Sequence, residues 1–153
     1  MTTLLDHRST TAPCASAHFP GLLPRAVRAD ADALSWESFS ATYAPDGGTR
    51  LGSWHATSTR NDLTEYHATI ATADRIWSLR ETATGPLAAV TAMLHATGVC
   101  VEITGLHQQR IGAQTAMLVE VERDGRRAWG LGIDDAGDRA GVIALLHALD
   151  RTA

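Results

Sequence analysis

The sequence predicts an α+β fold: two βββα units related by a pseudo-twofold, preceded by a short helical segment. Two observations carry this reading. From Gly52 onward, apolar and polar residues alternate in short runs separated by turn residues, which is the period of strands. Twice, a group of three such runs is followed by a largely apolar set at helical spacing (i, i+3, i+4, i+7), first Leu87, Val90, Thr91 and Leu94, then Val142, Leu145, Leu146 and Leu149. Each unit leaves one sheet face apolar, so its helix or a partner must cover it. A domain of about a hundred residues is small, and self-association into a homodimer would add burial.

Residues 1–18 are rich in Thr, Ser and Ala without apolar periodicity and are expected to form a flexible tail. Residues 19–52 read as a helical, linker-like segment. Ser35 is an N-cap candidate there, Trp36, Phe39 and Tyr43 share one helical face, and Pro45-Asp-Gly-Gly48 ends the helix. Residues 53–153 hold the two units. The first has strands at 53–58, 65–73 and 75–82 and a helix at 86–97 closed by Gly98. The second has strands at 99–106, 114–123 and 126–133 and a helix from about 137 to 151, with Asp124-Gly125 as the hairpin turn.

The strand-to-helix junction at Thr84-Gly85-Pro86-Leu87 is the chemically suggestive point. Proline is favoured at the first helical position, where its missing N–H costs nothing. The amides of Leu87, Ala88 and Ala89 are expected to lack helical partners and to be able to hold a carboxylate. A plain connection is the simpler reading of this heptapeptide alone.

Composition excludes several classes. The chain of 153 residues has a net charge of -4, which argues against nucleic acid as a partner, and its basic cluster Arg123-Asp-Gly-Arg126-Arg127 reads as a solvated hairpin tip. No apolar run approaches a membrane span, and residues 1–17 lack the pattern of a secretory signal. Cys14 and Cys100 show neither CxxC nor metal spacing, so a reducing cytoplasm fits best. The seven histidines form no H-x-H and no H-E-x-x-H, so no metal site and no cofactor is expected.

Several segments taken together resemble the C-terminal regulatory, allosteric and dimerisation domain of 2-isopropylmalate synthase, an enzyme of leucine biosynthesis. They are Thr84-Gly-Pro-Leu-Ala-Ala-Val90, Leu94-His-Ala-Thr-Gly98, Gly112-Ala-Gln-Thr-Ala116, Ala128-Trp-Gly-Leu-Gly-Ile133 and Ala144-Leu-Leu-His-Ala-Leu-Asp-Arg151. Gly-Pro-Leu-Ala-Ala is similar to the actinobacterial version in particular. More weakly, Leu23-Pro-Arg25 and Trp36-Glu-Ser-Phe39 resemble the preceding helical linker, so the resemblance covers roughly residues 20–153. Two departures stand out: Ala83 occupies the first position of the family's Gly-x-Gly-Pro, and Gln108 and Gln109 replace a Glu-His pair in the expected loop Leu106–Arg110.

The resemblance implies a non-catalytic, dimeric module that binds a small molecule, a leucine-like amino acid or a related acid, with a catalytic synthase as a further partner. Carried over by position, the ligand-binding residues are Ala83, Thr84, Gly85, Pro86, Leu87, Ala88 and Ala89 in the first half. In the second they are Gly132, Ile133, Asp134, Asp135 and Ala136. The synthase chemistry belongs to a TIM barrel of about 250 residues, so no condensing activity is expected from this chain alone. The alternative is a small biosynthetic enzyme that has converted the effector pocket into an active site. His67, His107 and Asp134 are its catalytic candidates, with His95, Glu65 and Asp135 as further acid–base groups. Their convergence in one apolar pocket is what would distinguish the enzyme from a binder.

Overall fold

The computed structural model describes residues 12–153. Residues 1–11 of the expected tail lie outside the described residues. Its remainder closes on the body, with Ala15–His18 in a turn of 3-10 helix and Ala15 fully buried. Helix α1 (Arg25–Ala33) follows; it is poorly legible in the sequence because only Val27 and Ala31 of it are buried. Helix α2 (Trp36–Tyr43) begins where the Ser35 cap places it. The Ser38 amide donates to Ser35 Oγ at 3.2 Å, which caps the helix, and the two hydroxyls bond at 3.1 Å, so the reciprocal bond of a capping box is not formed.

The two units then appear in the expected order. Strands β1 (Arg50–Ser58), β2 (Thr64–Ala71) and β3 (Ile76–Ala83) form one antiparallel sheet, followed by helix α3 (Pro86–Ala96). Strands β4 (Glu102–Ile111), β5 (Gln114–Arg123) and β6 (Arg126–Asp134) form a second, followed by helix α4 (Gly137–Arg151). The β5–β6 hairpin turns on Asp124 and Gly125, both at positive φ (51° and 78°), as an Asp-Gly turn requires.

Strand β4 departs from expectation. It spans Glu102–Ile111 rather than 99–106, so Leu106–Arg110 is strand and not loop. The ladder is carried to a tight turn: Ile111 pairs with Gln114 across Gly112, whose φ of 59° suits glycine. Val99 and Val101 precede the ladder and pack against the core from outside it.

The layers follow from which faces are apolar. Tyr66, Ala68 and Ile70 of β2 and Met117, Val119 and Val121 of β5 both face a common core with α3 and α4. Helix α4 is central, buried on most of its circumference through Val142, Leu145 and Leu149 on one side and Ala140, Ala144 and Ala148 on another. The alanine ridge lies directly on β6, where Gly130 and Gly132 present no side chain. His147 Nδ1 donates to the Leu131 carbonyl at 2.6 Å and ties the two elements.

Strand β5 is buried on both faces. Its other side, Ala116 and Leu118 with Leu131 of β6, is covered by the N-terminal helices through Phe19, Val27, Phe39 and Tyr43. Phe39 and Tyr43 stack at 4.5 Å, and the Arg151 guanidinium lies 4.3 Å over the Tyr43 ring. The corresponding outer face of the first sheet carries Ser53, His55, Glu65, His67, Thr69, Ser78 and Arg80 and meets solvent. The pseudo-symmetry of the units is therefore broken by what covers them.

Candidate functional site

The residues nominated from the first half form the end of β3 and the start of α3. Gly85 is the N-cap, with extended φ of -161°, and Pro86 opens the helix. A Cβ on Gly85 would meet nothing within 4 Å, so this side of the turn is open. The expected trio of free amides is corrected to a pair: the Ala89 amide donates to the Gly85 carbonyl at 3.1 Å, closing the first helical turn. The amides of Leu87 and Ala88 have no backbone partner among the described residues.

The second-half residues lie at the end of β6 and the start of α4. Asp134 Oδ2 accepts from the Ala136 amide at 3.0 Å, and Oδ1 lies 3.6 Å from the Arg139 guanidinium, so this carboxylate is held in place from two sides. Arg139 also donates to the Gly52 carbonyl of β1 at 3.3 Å. Asp135 and Ala136 are exposed, whereas Gly132 is buried beneath α4. The two stretches meet through the helices: Leu87 Cδ2 lies 3.5 Å from where a Cβ on Gly141 would stand. Both helices thus begin at the same end of the module, and their N-terminal ends share a positive partial charge. Ala88 faces away from this contact, bordering a groove between α3 and the start of β4 with His95 and Cys100.

The candidate catalytic groups occupy three separate places. His67 stands on the solvent face of the first sheet, its Nε2 donating to Glu65 Oε1 at 2.7 Å. That bond, with Arg80 beside it, holds Glu65 below the usual carboxylate range. His107 belongs to β4 rather than to a loop and faces the N-terminal helices, while Asp134 ends β6 and accepts from the amide of Ala136, the residue at which α4 begins. His95 is exposed, its Nδ1 3.4 Å from Cys100 Sγ. Among the described residues no three His, Cys, Asp or Glu side chains are grouped as metal ligands.

Sequence reasoning marks Gln109 only as a departure from the family's loop; in the structure it clamps the N-terminal segment. Its Oε1 accepts from the Gly21 amide at 2.8 Å, and its Nε2 donates to the carbonyls of Gly21 (3.0 Å) and Leu22 (3.1 Å). The same nitrogen lies 2.7 Å from His107 Nε2. Because the carbonyls fix the amide's orientation, His107 must accept at Nε2 and be neutral. Burial pushes its pKa down, in agreement.

The geometry defines a small α+β module of two βββα units and, among the described residues, no closed barrel. No protein-family model matches the chain. It is 28% identical over 130 residues to the 2-isopropylmalate synthase of Leifsonia xyli subsp. xyli, an alignment covering 76% of this chain and 22% of that protein. It is 29% identical over 154 residues to the 2-isopropylmalate synthase of Renibacterium salmoninarum, covering 90% of this chain and 26% of that protein. The chain spans about a quarter of the length of the curated relatives it matches, so the homology is to one region of 2-isopropylmalate synthase. No helix of the described residues is long and apolar enough to cross a membrane.

Proposed function

We propose that this chain is a non-catalytic, effector-binding module of the kind that regulates 2-isopropylmalate synthase. In this reading it is a cytoplasmic homodimer that binds a leucine-like amino acid or a related acid. The observation that carries the reading is the contact between Leu87 and Gly141, which brings the starts of α3 and α4 together two residues along from Gly85. The free amides of Leu87 and Ala88 would take the ligand carboxylate. Asp134 and the exposed Asp135 would take an ammonium, and Ala83 leaves room for a branched side chain. In this reading a second copy closes the open side of Gly85, which couples binding to self-association. A catalytic synthase, in the same polypeptide or in trans, is the partner this reading implies. The dispersal of His67, His107 and Asp134 gives the enzyme alternative no support.

Titration calorimetry with leucine, isoleucine, valine and their 2-oxo acids tests the proposal, alongside sedimentation with and without ligand. The expected result is binding by one of this set, accompanied by a shift toward dimer and weakened by Gly85→Ala. Absence of heat and of thermal stabilisation across the whole panel would remove the sensing role.

A further inference from the structure

At the other end of the module, where α3 and α4 finish, the inner face of the first sheet parts from the helices. A cavity of about 410 Å³ opens there. About 14 Å of helix separates Gly85 from Leu94 in its wall, at the usual rise per residue, so it is distinct from the corner discussed above. We propose that this cavity is a second small-molecule site, taking an aliphatic monocarboxylate with its hydrocarbon end inward and its carboxylate at the mouth.

The volume falls in the range of small-molecule pockets. Its walls are apolar: Ile70, Trp77 and Leu79 from the sheet, Leu94 and Val99 at the end of α3, and Leu149 from α4. The hydroxyls that reach it are already engaged. Thr97 donates to the Leu94 carbonyl at 2.7 Å, Thr49 donates to Asp150 at 2.8 Å, and Thr72 bonds the backbone of Arg75 at 3.2 Å. The Asp150 carboxylate is likewise taken up, accepting also from the Thr49 amide at 2.9 Å. The interior therefore asks for a hydrocarbon.

The rim asks for an anion. The Arg75 guanidinium lies 4.9 Å over the Trp77 ring and forms no ion pair among the described residues. Arg123 has only a contact of 3.7 Å to Asp124, whose side chain is 89% exposed and therefore screened. Two guanidiniums with donors to spare suit a carboxylate, which they can grip through paired hydrogen bonds. Asp74 on the same rim is exposed. The C-terminal ends of α3 and α4 also border the cavity and carry negative partial charge, so a ligand carboxylate is turned away from them and toward the two guanidiniums.

Calorimetry with 4-methylpentanoate, its neutral amide 4-methylpentanamide, and leucine tests this site. The carboxylate is expected to bind at least about tenfold more tightly than the amide. The R75Q/R123Q double variant, altered only at the rim, should keep the melting temperature and lose that preference. Binding that is absent at millimolar 4-methylpentanoate, or equal for acid and amide, overturns the proposal. Tighter binding of leucine that is lost in D74N also overturns it, because the rim would then be reading an ammonium. The two sites fail separately: Gly85→Ala should weaken leucine binding while leaving the preference for 4-methylpentanoate over its amide intact, and R75Q/R123Q should remove that preference while leaving leucine binding unchanged.

Discussion

The Ala140 carbonyl of α4 occupies the space that a β-carbon on Gly132 would need, and the Ala144 amide nitrogen stands 2.6 Å from the same point. Helix and strand therefore touch backbone to backbone. The same arrangement recurs one step along β6, where Gly130 meets Ala144 and Ala148. Two glycines under an alanine ridge let α4 settle between the sheets and reach Val119 and Val121 on one side and the core of the first sheet on the other.

Gly132→Ala should therefore be among the most damaging small changes in this chain. The colliding atoms are backbone and cannot swing aside, so a cost at or beyond the upper end of overpacking, about 3 kcal/mol, is expected in urea denaturation. Gly85→Ala is the control. Its φ is extended and its surroundings are empty, so stability should change by no more than about 1 kcal/mol, the cost of a weaker N-cap.

His107 makes the attachment of the N-terminal helices sensitive to acid. Its pKa is lowered by burial, and its Nε2 accepts from Gln109 while Gln109 holds Gly21 and Leu22. A histidine with a depressed folded-state pKa contributes stability that is present above its unfolded value and lost as pH falls through the folded value. The melting temperature should therefore decline as pH is lowered below about 6.5, and His107→Gln should flatten that part of the profile. A profile unchanged by the substitution would remove His107 as the cause.

Tyr43 gives the opposite dependence at alkaline pH. Burial, reinforced by its hydrogen bond of 2.8 Å to Asp30, pushes its pKa up to about 12 against the opposing charge of Arg151. The neutral phenol is the form the fold favours. Its contribution is whole below the unfolded value near 10 and is lost as pH rises through about 12. The loss should amount to at most about 3 kcal/mol, read as a fall in chemical-denaturation stability that Tyr43→Phe abolishes. Absorbance titration of the tyrosinate at 295 nm would follow the same group directly.

Much of this architecture is written in local sequence. The Ser35 cap, the Asp124-Gly125 turn, Pro86 at a helix start and the two largely apolar sets at helical spacing each place an element near where it lies. The Gly130-x-Gly132 and Ala140/Ala144/Ala148 spacings also announce a close helix–strand contact, once the two segments are known to meet. Less was legible where the signal is non-local. Helix α1 is mostly polar and buries only Val27 and Ala31, too few apolar residues to announce a helix in sequence, and the length of β4 is set by its ladder with β5 rather than by its own composition.

The two βββα units, their order and their caps are set locally, because periodicity and backbone preference act over a few residues. Long-range packing settled that the N-terminal helices cover the second sheet and leave the first open. It also decided that the starts of α3 and α4 share one end, and that His67, His107 and Asp134 stand apart. Those outcomes depend on which apolar faces meet, and burial is a relation between distant segments that no single stretch of chain records.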